Sequence, residues 1–543
     1  MIIFEKRINH IPMKTLNRIL CCMAALVCVS LSAQTISGYA DGLPRSTPEA
    51  EGIPSETIAD FFKALDEGGY EVHGLMILRH DKVVAEHWWA PYGPQYTHAM
   101  YSATKSFTGA AVGFAVQEGL LKISDKVQSF FPELMPEHPA PELERLTVEH
   151  LLTMSAGHAR TSYPGSGLDQ VRSFLAMDYA HEPGTSFAYN ITCSHMLSNI
   201  ITRVTGLSLY EYLKPRLLDP LGITDIVWEM DMDGHNMGNG GMHSKTSDLA
   251  KFGIFLKNKG MWNGKQLLNR EWVEAMTTPH IFQRPGVSEE ENNKDDGGQG
   301  YGYQVWMGRR NSYRAIGGQN QLIMVIPDYD LVVASNGMIG DEAGFNSLIY
   351  KMLDSMSDKK LKPNKNFDLN AAIKDYAFKL PYPAPGLEPS VVSRTLRYKM
   401  HQNAYGITGI AFRFDAAGDM YLTLETESAI HNIPFGLDNW KMGSTDRTLM
   451  FPGTGYANTM GVTPMTTAGY CSWTAPDELS AYYLSLFNNG AQESFRFGFG
   501  EDFDELTITI VGPQPRTRPG AAPAAPAASR DIVMTASRIK STY

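Results

Sequence analysis

The order of strand-like and helix-like segments constrains the fold of this chain more than any other feature of the sequence. Two apolar, β-rich runs, Val72–Leu78 and Lys82–Trp89, are separated by a short polar turn and predict a hairpin. A mainly helical region follows over about residues 102–280, and strand-like runs resume near residue 303. The sequence therefore predicts an α+β domain, in which the chain leaves one antiparallel sheet for a helical region and then returns to it.

The returning runs complete this predicted first domain. Strands are expected at Tyr303–Met307, Leu322–Ile326 and Leu331–Ser335, and a closing helix is expected near Asn346–Met356. With an extended lead-in before the first strand, the domain is assigned to residues 34–365. Helices are expected to flank the sheet, and a helical subdomain is expected between its early and late strands.

A change of pattern after residue 365 indicates a second domain. Residues 366–389 contain several prolines and are assigned to a linker. Short runs of alternating apolar and polar residues then follow, such as Leu506–Ile510, and they predict a small all-β domain over residues 390–511. Residues 512–543 include a Pro- and Ala-rich stretch and are predicted to be a disordered, low-complexity tail.

The amino-terminal residues predict export. Met13–Arg18 carries two positive charges, Ile19–Leu31 is a short apolar core, and small residues precede a cleavage position after Ala33. An apolar run of this length is too short to span a bilayer comfortably. We therefore expect residues 1–33 to be a cleaved signal peptide, and the mature protein to be secreted, in the periplasm, without a stable membrane span.

Net charge and the remaining cysteines limit the classes of partner and cofactor. A formal net charge of −11 disfavours nucleic acid, which binds basic surfaces. Beyond the predicted signal only Cys193 and Cys471 remain, and the sequence leaves open whether they pair. Asp231, Asp233 and His235 are loosely spaced residues of metal-ligand type, but a solvated loop explains them more simply. No metal or cofactor is predicted, and the oligomeric state stays open.

The strongest candidate for chemistry is a serine at the start of an apolar helix. The pattern Ser-x-x-Lys begins at Ser102, Ser357 and Ser537, but only Ser102 leads into a long apolar segment, which extends to Val116. The spacing places Lys105 on the same helical face as the serine. A desolvated lysine has a lowered pKa and can accept the serine proton. The alternative is a serine that caps the helix and a lysine that extends to solvent.

Four segments, taken in order, resemble a known enzyme family. Residues 101–109, YSATKSFTG, resemble the first active-site motif of class C β-lactamases, D-alanyl-D-alanine carboxypeptidases and related serine esterases. Residues 146–157 are similar to the family segment HLLTHTSG, residues 183–190 resemble its second motif, and residues 240–253 resemble a scaffold segment. The resemblance extends over roughly residues 45–360 and implies a β-lactamase/transpeptidase-like fold.

The resemblance implies roles for individual residues, and the second motif departs from the family pattern. It implies Ser102 as the nucleophile, Lys105 as its base and Tyr189 as a residue that helps to shuttle protons. The family motif is Tyr-x-Asn, whereas Asn190 directly follows Tyr189 here and Ile191 occupies the expected position. The amide that orients substrate is therefore either differently placed or absent.

The Lys-Thr-Gly motif on the strand beside the nucleophile is also missing. The corresponding stretch, residues 312–319, contains no lysine. A backbone N–H of this strand, near Ala315 or Gly317, is expected to complete an oxyanion hole with that of the nucleophile. Arg314 or Lys245 is a candidate partner for a substrate carboxylate, although such residues are more often surface charges. Without the family's cation, ester or amide cleavage is favoured over β-lactam turnover.

These patterns together predict an exported serine hydrolase for a small-molecule acyl substrate. Ser102 is expected to form an acyl-enzyme from an ester or amide, and water, an alcohol or an amine is expected to accept the acyl group. The alternatives are a β-lactamase or D-alanyl-D-alanine carboxypeptidase, and a non-catalytic penicillin-binding-like sensor. Tyr301, Tyr303 and Trp306 are candidates to line an apolar cleft, although strand aromatics are more often core. The C-terminal domain is expected to pack over or beside this cleft.

Overall fold

The computed structural model describes residues 40–158, 170–379, 387–445, 465–487, 492–511 and 531–539, so the predicted signal peptide lies outside the described residues. Its α-helices are α1 (Ser55–Glu67), α2 (Thr104–Gln117), α3 (Val148–Leu152), α4 (Gln170–Leu175), α5 (Ile191–Thr205), α6 (Leu209–Leu213), α7 (Asp219–Leu221), α8 (Thr246–Lys257), α9 (Arg270–Met276), α10 (Glu289–Asn292), α11 (Glu342–Leu353) and α12 (Leu369–Ile373). The strands of the first domain are β1 (Val72–Arg79), β2 (Lys82–Trp88), β3 (His98–Ala99), β4 (Val227–Trp228), β5 (Met242–Ser244), β6 (Met261–Trp262), β7 (Lys265–Gln266), β8 (Trp306–Met307), β9 (Tyr313–Gly317), β10 (Gln321–Ile326) and β11 (Leu331–Gly337). The strands of the second domain are β12 (Arg394–Met400), β13 (Ile407–Phe414), β14 (Met420–Thr426), β15 (Ile430–Leu437), β16 (Lys441–Thr445), β17 (Met465–Ala475), β18 (Glu478–Ser485), β19 (Gln492–Phe499), β20 (Glu505–Val511) and β21 (Ile532–Arg538).

A six-stranded sheet forms the centre of the first domain, with strands in the order β2-β1-β11-β10-β9-β8. β1 pairs with β11 in antiparallel orientation. Because these neighbours are far apart in sequence, the chain leaves the sheet after β2 and returns to it, as the sequence predicts. All of β1 is buried because alternate side chains enter different cores. Leu75 packs with residues of α1 and α11 on one face, and Met76 packs with residues of α2, α5 and α8 on the other.

Helix α2 lies in the larger of these two cores. Every residue from its start at Thr104 to Ala115 is buried, which confirms the prediction of a buried helix after Ser102. Its Phe107 ring stacks on that of Phe252 in α8, with centroids 3.9 Å apart. Because packing surrounds α2 on all sides, the position of its first turn is fixed relative to the sheet. None of the helices in the described parts of the chain is long and apolar enough to cross a membrane.

Element boundaries differ from the predicted ones where backbone conformation overrides the side-chain pattern. The strand expected at Tyr303–Met307 is reduced to β8, because Gln304 has a φ of 61° and turns the chain. The closing helix α11 begins earlier than predicted, since the Asp341 side chain accepts a hydrogen bond from the Gly344 N–H and caps it.

The second domain is an all-β barrel. Its strands follow the order β15-β14-β13-β12-β21-β20-β19-β18-β17-β16, and an additional pairing of β15 with β17 joins the two ends of the sheet. Aromatic side chains fill its interior; the rings of Phe412 and Phe497, for example, have centroids 5.0 Å apart. Trp473 is completely buried among them. The barrel interior is therefore a packed core.

The last strand corrects the predicted carboxyl-terminal boundary of this domain. β21 pairs with β12 and β20, so residues 512–543 are not a disordered tail throughout. Met534 and Ala536 alternate into the barrel core, but the Pro- and Ala-rich composition before them conceals this short alternation. The predicted linker, residues 366–389, also contains structure, because α12 packs into the core behind the central sheet.

Aromatic side chains join the two domains. The Phe378 ring lies 5.8 Å from that of Tyr482 and 6.0 Å from that of Trp440, both of which belong to the barrel domain. Tyr92 of the first domain and Tyr470 of β17 are buried in the same cluster. The barrel therefore packs directly on the first domain.

Candidate active site

Ser102 lies on a short 3₁₀ turn, Tyr101–Ala103, that leads directly into α2. The residue before it, Tyr101, has a φ of 46°, which is unfavourable for a bulky side chain. Strain of this kind persists only where the surrounding structure fixes the backbone, and it is common at functional sites. Ala103, and not Ser102, occupies the N-cap position of α2, and no side-chain capping hydrogen bond is made there, so Ser102 does not serve as the cap.

Lys105 points back to Ser102 from the first turn of α2. Its Nζ lies 2.8 Å from the Ser102 Oγ and donates a hydrogen bond to the Asn239 carbonyl at 2.5 Å. The residue is only 2% exposed, which excludes the alternative of a lysine that extends to solvent. Burial lowers the pKa of Lys105 to about 7, because desolvation disfavours the charged amine. A large share of the amine is therefore neutral near pH 7 and able to accept a proton.

Tyr189 completes the group of residues that the sequence assigns to catalysis. It lies just before α5, and its ring centroid is 5.3 Å from the Lys105 Nζ. The side chain is 36% exposed, so one side of the site is open to solvent. The structure thus brings the serine, the lysine and the tyrosine together from two helix starts that are far apart in sequence.

The carboxyl end of β9 lies against the turn that carries Ser102. A Cβ placed on Gly317 would lie 2.0 Å from the Met100 carbonyl oxygen, so only glycine permits this approach. β8 pairs with Tyr313 and Arg314, and over the described residues it does not extend along β9 to Ala315. The backbone from Ala315 to Gly317 therefore lies beside the nucleophile's turn, where an oxyanion hole requires donors.

The geometry agrees with a family assignment made from the sequence. A family model described as β-lactamase matches residues 58–342, which is just over half of the chain. The chain belongs to the β-lactamase family. Its fold is the β-lactamase/transpeptidase-like arrangement of sheets and helices, followed by an all-β barrel.

The chain is similar in sequence or in fold to proteins with several different names. The chain is 25% identical over 315 residues to an uncharacterized protein of Alkalihalophilus pseudofirmus, covering 50% of this chain and 86% of that protein. It is 26% identical over 255 residues to the 6-aminohexanoate-dimer hydrolase of Paenarthrobacter ureafaciens, covering 44% of this chain and 61% of that enzyme. Among solved structures, the octameric penicillin-binding protein homologue from Pyrococcus abyssi has a TM-score of 0.45 and 19% identity, covering 83% of this chain and 97% of that chain.

Asn190, which the sequence suggests as a substrate-binding residue, caps the amino terminus of α5. Its Oδ1 accepts hydrogen bonds from the Thr192 N–H at 3.0 Å and from the Thr192 hydroxyl at 2.5 Å. The residue is 2% exposed, and its Nδ2 lies 3.5 Å from the His158 Nδ1. This explains the departure from Tyr-x-Asn in this member of the β-lactamase family, because the asparagine one position earlier caps the helix. Asparagine directly before an apolar helical pattern is a sequence signal for such a cap.

The two cations proposed for a substrate carboxylate are both paired within the protein. Arg314 is 4% exposed and donates to Glu342 at 3.0 Å and to the Met307 carbonyl at 2.8 Å. Lys245 is also buried and donates to Asp225. The carboxylate contact therefore stays a prediction, and it would require either cation to leave its acidic partner, Glu342 or Asp225.

Aromatic residues form one side of the site, and only one of the three suggested by the sequence borders it. Tyr301 and Tyr303 are 1% and 3% exposed and belong to the core. Trp306 is half-buried, and its ring lies 5.4 Å from that of Tyr189. Phe187 packs against the same tryptophan at 5.6 Å. Trp306 and Tyr189 thus give the site an aromatic wall.

Two structural features of the site have no signal in the sequence. The Asn239 carbonyl that holds Lys105 is a backbone group in a loop, and no side-chain pattern reveals it. Gln304 is buried and links three elements, since it accepts from Ser106 of α2 and Ser194 of α5 and donates to the Leu152 carbonyl at the end of α3. A glutamine within an aromatic-rich stretch gives no signal for this role.

The cysteines and the loose Asp/His cluster have structural environments. Cys193 and Cys471 are free and buried, in the cores of different domains. Asp231 accepts hydrogen bonds from the His195 ring at 2.7 Å and from the backbone N–H groups of Asp233 and His235, each at 2.9 Å. Within the described residues, no group of three or more histidine, cysteine or acidic side chains is arranged to hold a metal ion.

Proposed function

We propose that this β-lactamase-family hydrolase cleaves an ester or amide that carries no free carboxylate at the reacting end, through an acyl-enzyme on Ser102. The contact of 2.8 Å between the Ser102 Oγ and a buried lysine amine carries this proposal. A serine hydroxyl is a weak nucleophile at its ordinary pKa and needs an adjacent base. Lys105 fits that role because its pKa is lowered to about 7.

The proposed cycle has two half-reactions. Ser102 Oγ forms a bond to the acyl carbonyl carbon while its proton passes to the Lys105 amine, and the oxyanion is stabilised by the backbone N–H of Ser102 and one from the β9 segment near Ala315. The leaving alcohol or amine takes the proton back, with Tyr189 as the relay to the departing atom. Water, or a second alcohol or amine, then attacks the acyl-enzyme and releases Ser102.

The pairing of both candidate cations favours neutral substrates over β-lactams and D-alanyl peptides. A penicillin or a D-alanyl peptide carries a carboxylate beside the bond that is cleaved. Arg314 and Lys245 each form an ion pair with an acidic side chain of the protein, so neither offers an unpaired charge to that group. The aromatic wall of Trp306 and Tyr189 suits an apolar acyl or alcohol group. One relative of 26% identity is named for hydrolysis of a dimer of 6-aminohexanoate, which is consistent with amide cleavage at this kind of site.

Labelling of the serine tests the nucleophile directly. A fluorophosphonate should label the wild-type protein and Ser357→Ala, but not Ser102→Ala. Ser357→Ala is a matched control because Ser357 also begins a Ser-x-x-Lys pattern. A non-catalytic sensor would show neither Ser102-dependent labelling nor ester turnover, and that result would refute the proposal.

A substrate panel tests the class. Neutral p-nitrophenyl acyl esters and anilides should be turned over with a higher kcat/KM than penicillins or D-alanyl-D-alanine peptides, by a factor of about 100 if one charge-assisted contact is missing for the latter. An alcohol acceptor added at increasing concentration separates hydrolysis from acyl transfer. Faster turnover of penicillin than of every neutral ester would overturn the substrate class while leaving the nucleophile intact.

Export is proposed from the amino-terminal pattern alone. A basic segment, a short apolar core and small residues before Gln34 are typical of a cleaved signal peptide. Mature protein recovered from the periplasm of an expressing cell should begin at Gln34. Full-length protein retained in the cytoplasm would contradict this part of the proposal.

A further inference from the structure

Phe487 of the barrel domain contacts two strands of the first domain at once. Its carbonyl oxygen accepts hydrogen bonds from the Ala99 N–H of β3 and from the His243 Nδ1 of β5, each at 3.2 Å. Its ring stacks on the His243 imidazole, with centroids 3.8 Å apart and planes 11° apart. The contact therefore combines two directional hydrogen bonds with a stacked aromatic pair.

The two strands that Phe487 holds are those that support the reactive groups. Ala99 in β3 precedes Ser102 by three residues and pairs with His243 in β5. The Met242 carbonyl of β5 accepts from the Met100 N–H at 2.8 Å, next to the strained turn. The loop just before β5 provides the carbonyl to which Lys105 donates. A displacement of β3 or β5 would therefore move the serine and the lysine relative to each other.

His243 is fixed on its other side as well. Its Nε2 lies 2.6 Å from the Glu229 Oε1, so each ring nitrogen faces an oxygen. His243, Glu229 and Phe487 are 1%, 6% and 8% exposed, which leaves little room for water to replace a lost partner. At 8% exposure Phe487 also presents almost no surface to a substrate. Its influence on the site must therefore act through the strands.

We propose that the barrel domain positions the catalytic groups, with Phe487 and His243 as the positioning residues that fix the Ser102–Lys105 geometry. This inference rests on the proposed acyl-enzyme chemistry at Ser102. Displacements of about 1 Å in an active site lower rates by roughly 100-fold even when the mutated residue lies away from the chemistry. Because substrate is not contacted, the loss should appear in kcat and not in KM.

The test compares variants at this contact with a variant elsewhere in the domain interface. Phe487→Ala removes the stacked ring, Phe487→Tyr retains it, and Trp440→Ala removes a ring that packs on Phe378 at the aromatic cluster. For a neutral ester, we expect Phe487→Ala to lower kcat by about 10- to 100-fold with KM within about threefold. Phe487→Tyr and Trp440→Ala should keep kcat within about threefold. If Phe487→Ala does not fold, Phe487→Leu takes its place.

Two further measurements distinguish positioning from general destabilisation and from failure of the proposed chemistry. Hydrogen exchange of the peptide that contains Ala99 should accelerate in Phe487→Ala but not in Trp440→Ala, and this measurement requires no substrate. The midpoint of the pH profile of phosphonate labelling should also move, since the Lys105 environment changes with β5. An unchanged kcat, pH profile and Ala99 exchange in folded Phe487→Ala would overturn the inference. A wild-type protein without Ser102 reactivity would instead refute the proposed function; exchange of the Ala99 peptide, which needs no substrate, would then decide by itself whether Phe487 holds β3.

Discussion

The acylation of Ser102 should depend on pH through a single group, Lys105. Burial lowers the pKa of this amine from 10.5 to about 7. Below that pKa the amine is protonated and cannot accept the serine proton, whereas above it the amine is neutral and can. For a pKa of about 7, the neutral fraction rises from about 9% at pH 6 to about 91% at pH 8. The acylation rate constant should therefore rise about tenfold across this interval.

The assay is the second-order rate constant for labelling by an uncharged fluorophosphonate between pH 5.5 and 9. The probe does not titrate in this range, and labelling isolates the attack by Ser102 from later hydrolysis. Lys105→Arg is the control, because a guanidinium stays protonated throughout. Its labelling rate should fall by about 100-fold or more and show no inflection near neutrality. A wild-type rate that is independent of pH, or an inflection above pH 9, would refute Lys105 as the base.

Three further predictions concern the residues that shape the site. Lys105→Met should raise the Tm at pH 7. Between about pH 7 and 10.5 the lysine is protonated in the unfolded chain but neutral in the folded protein, so its burial destabilises the fold. This destabilisation is complete below pH 7, disappears as the pH rises to 10.5, and is at most about 5 kcal/mol before lost hydrogen bonds are subtracted. An unchanged or lower Tm in thermal denaturation at pH 7 would contradict it. Gly317→Ala should lower the kcat for an ester by about 100-fold, because the added Cβ would lie 2.0 Å from the Met100 carbonyl oxygen. Gly340→Ala is the control, since a Cβ there meets no atom within 4 Å and the kcat should not change. Equal kcat values for the two variants would show that β9 adjusts freely. Asn190→Ala should lower the free energy of unfolding, measured by urea denaturation, by about 1 kcal/mol and leave KM within about twofold. Asn190→Ser should retain most of that stability, because serine also caps helices. A tenfold rise in KM for Asn190→Ala would show that the residue binds substrate.

The sequence predicts most of the first domain because its signals are local and periodic. The hairpin of β1 and β2, the buried helix α2 and the return of β11 each follow from runs of apolar residues with a clear period. The pairing of Ser102 with Lys105 is equally local, since both residues lie within one helical turn. These parts of the fold needed no knowledge of distant contacts.

The remaining features depend on contacts that sequence spacing does not encode. Arg314 of β9 pairs with Glu342 at the start of α11, a residue 28 positions away in the sequence. β21 joins the barrel across a Pro- and Ala-rich stretch that conceals it. Phe487 reaches His243 from the other domain, a separation of 244 residues. Local pattern cannot indicate which distant acceptor or strand edge a side chain meets, because the answer depends on the assembled fold.

The candidate site combines two arrangements that disfavour folding locally with a close backbone approach that only glycine permits. Tyr101 has a left-handed backbone, Lys105 is desolvated, and Gly317 allows β9 to approach Met100 more closely than a side chain permits. Strained backbone alone costs on the order of 1–3 kcal/mol, so such features persist only where packing on all sides leaves no alternative. The buried length of α2, the edge of β9 and the β3–β5 pair supply that packing from three directions. Substitutions that loosen any one of these supports should therefore reduce the reactivity of Ser102, because the strained turn can relax once the packing that holds it is lost.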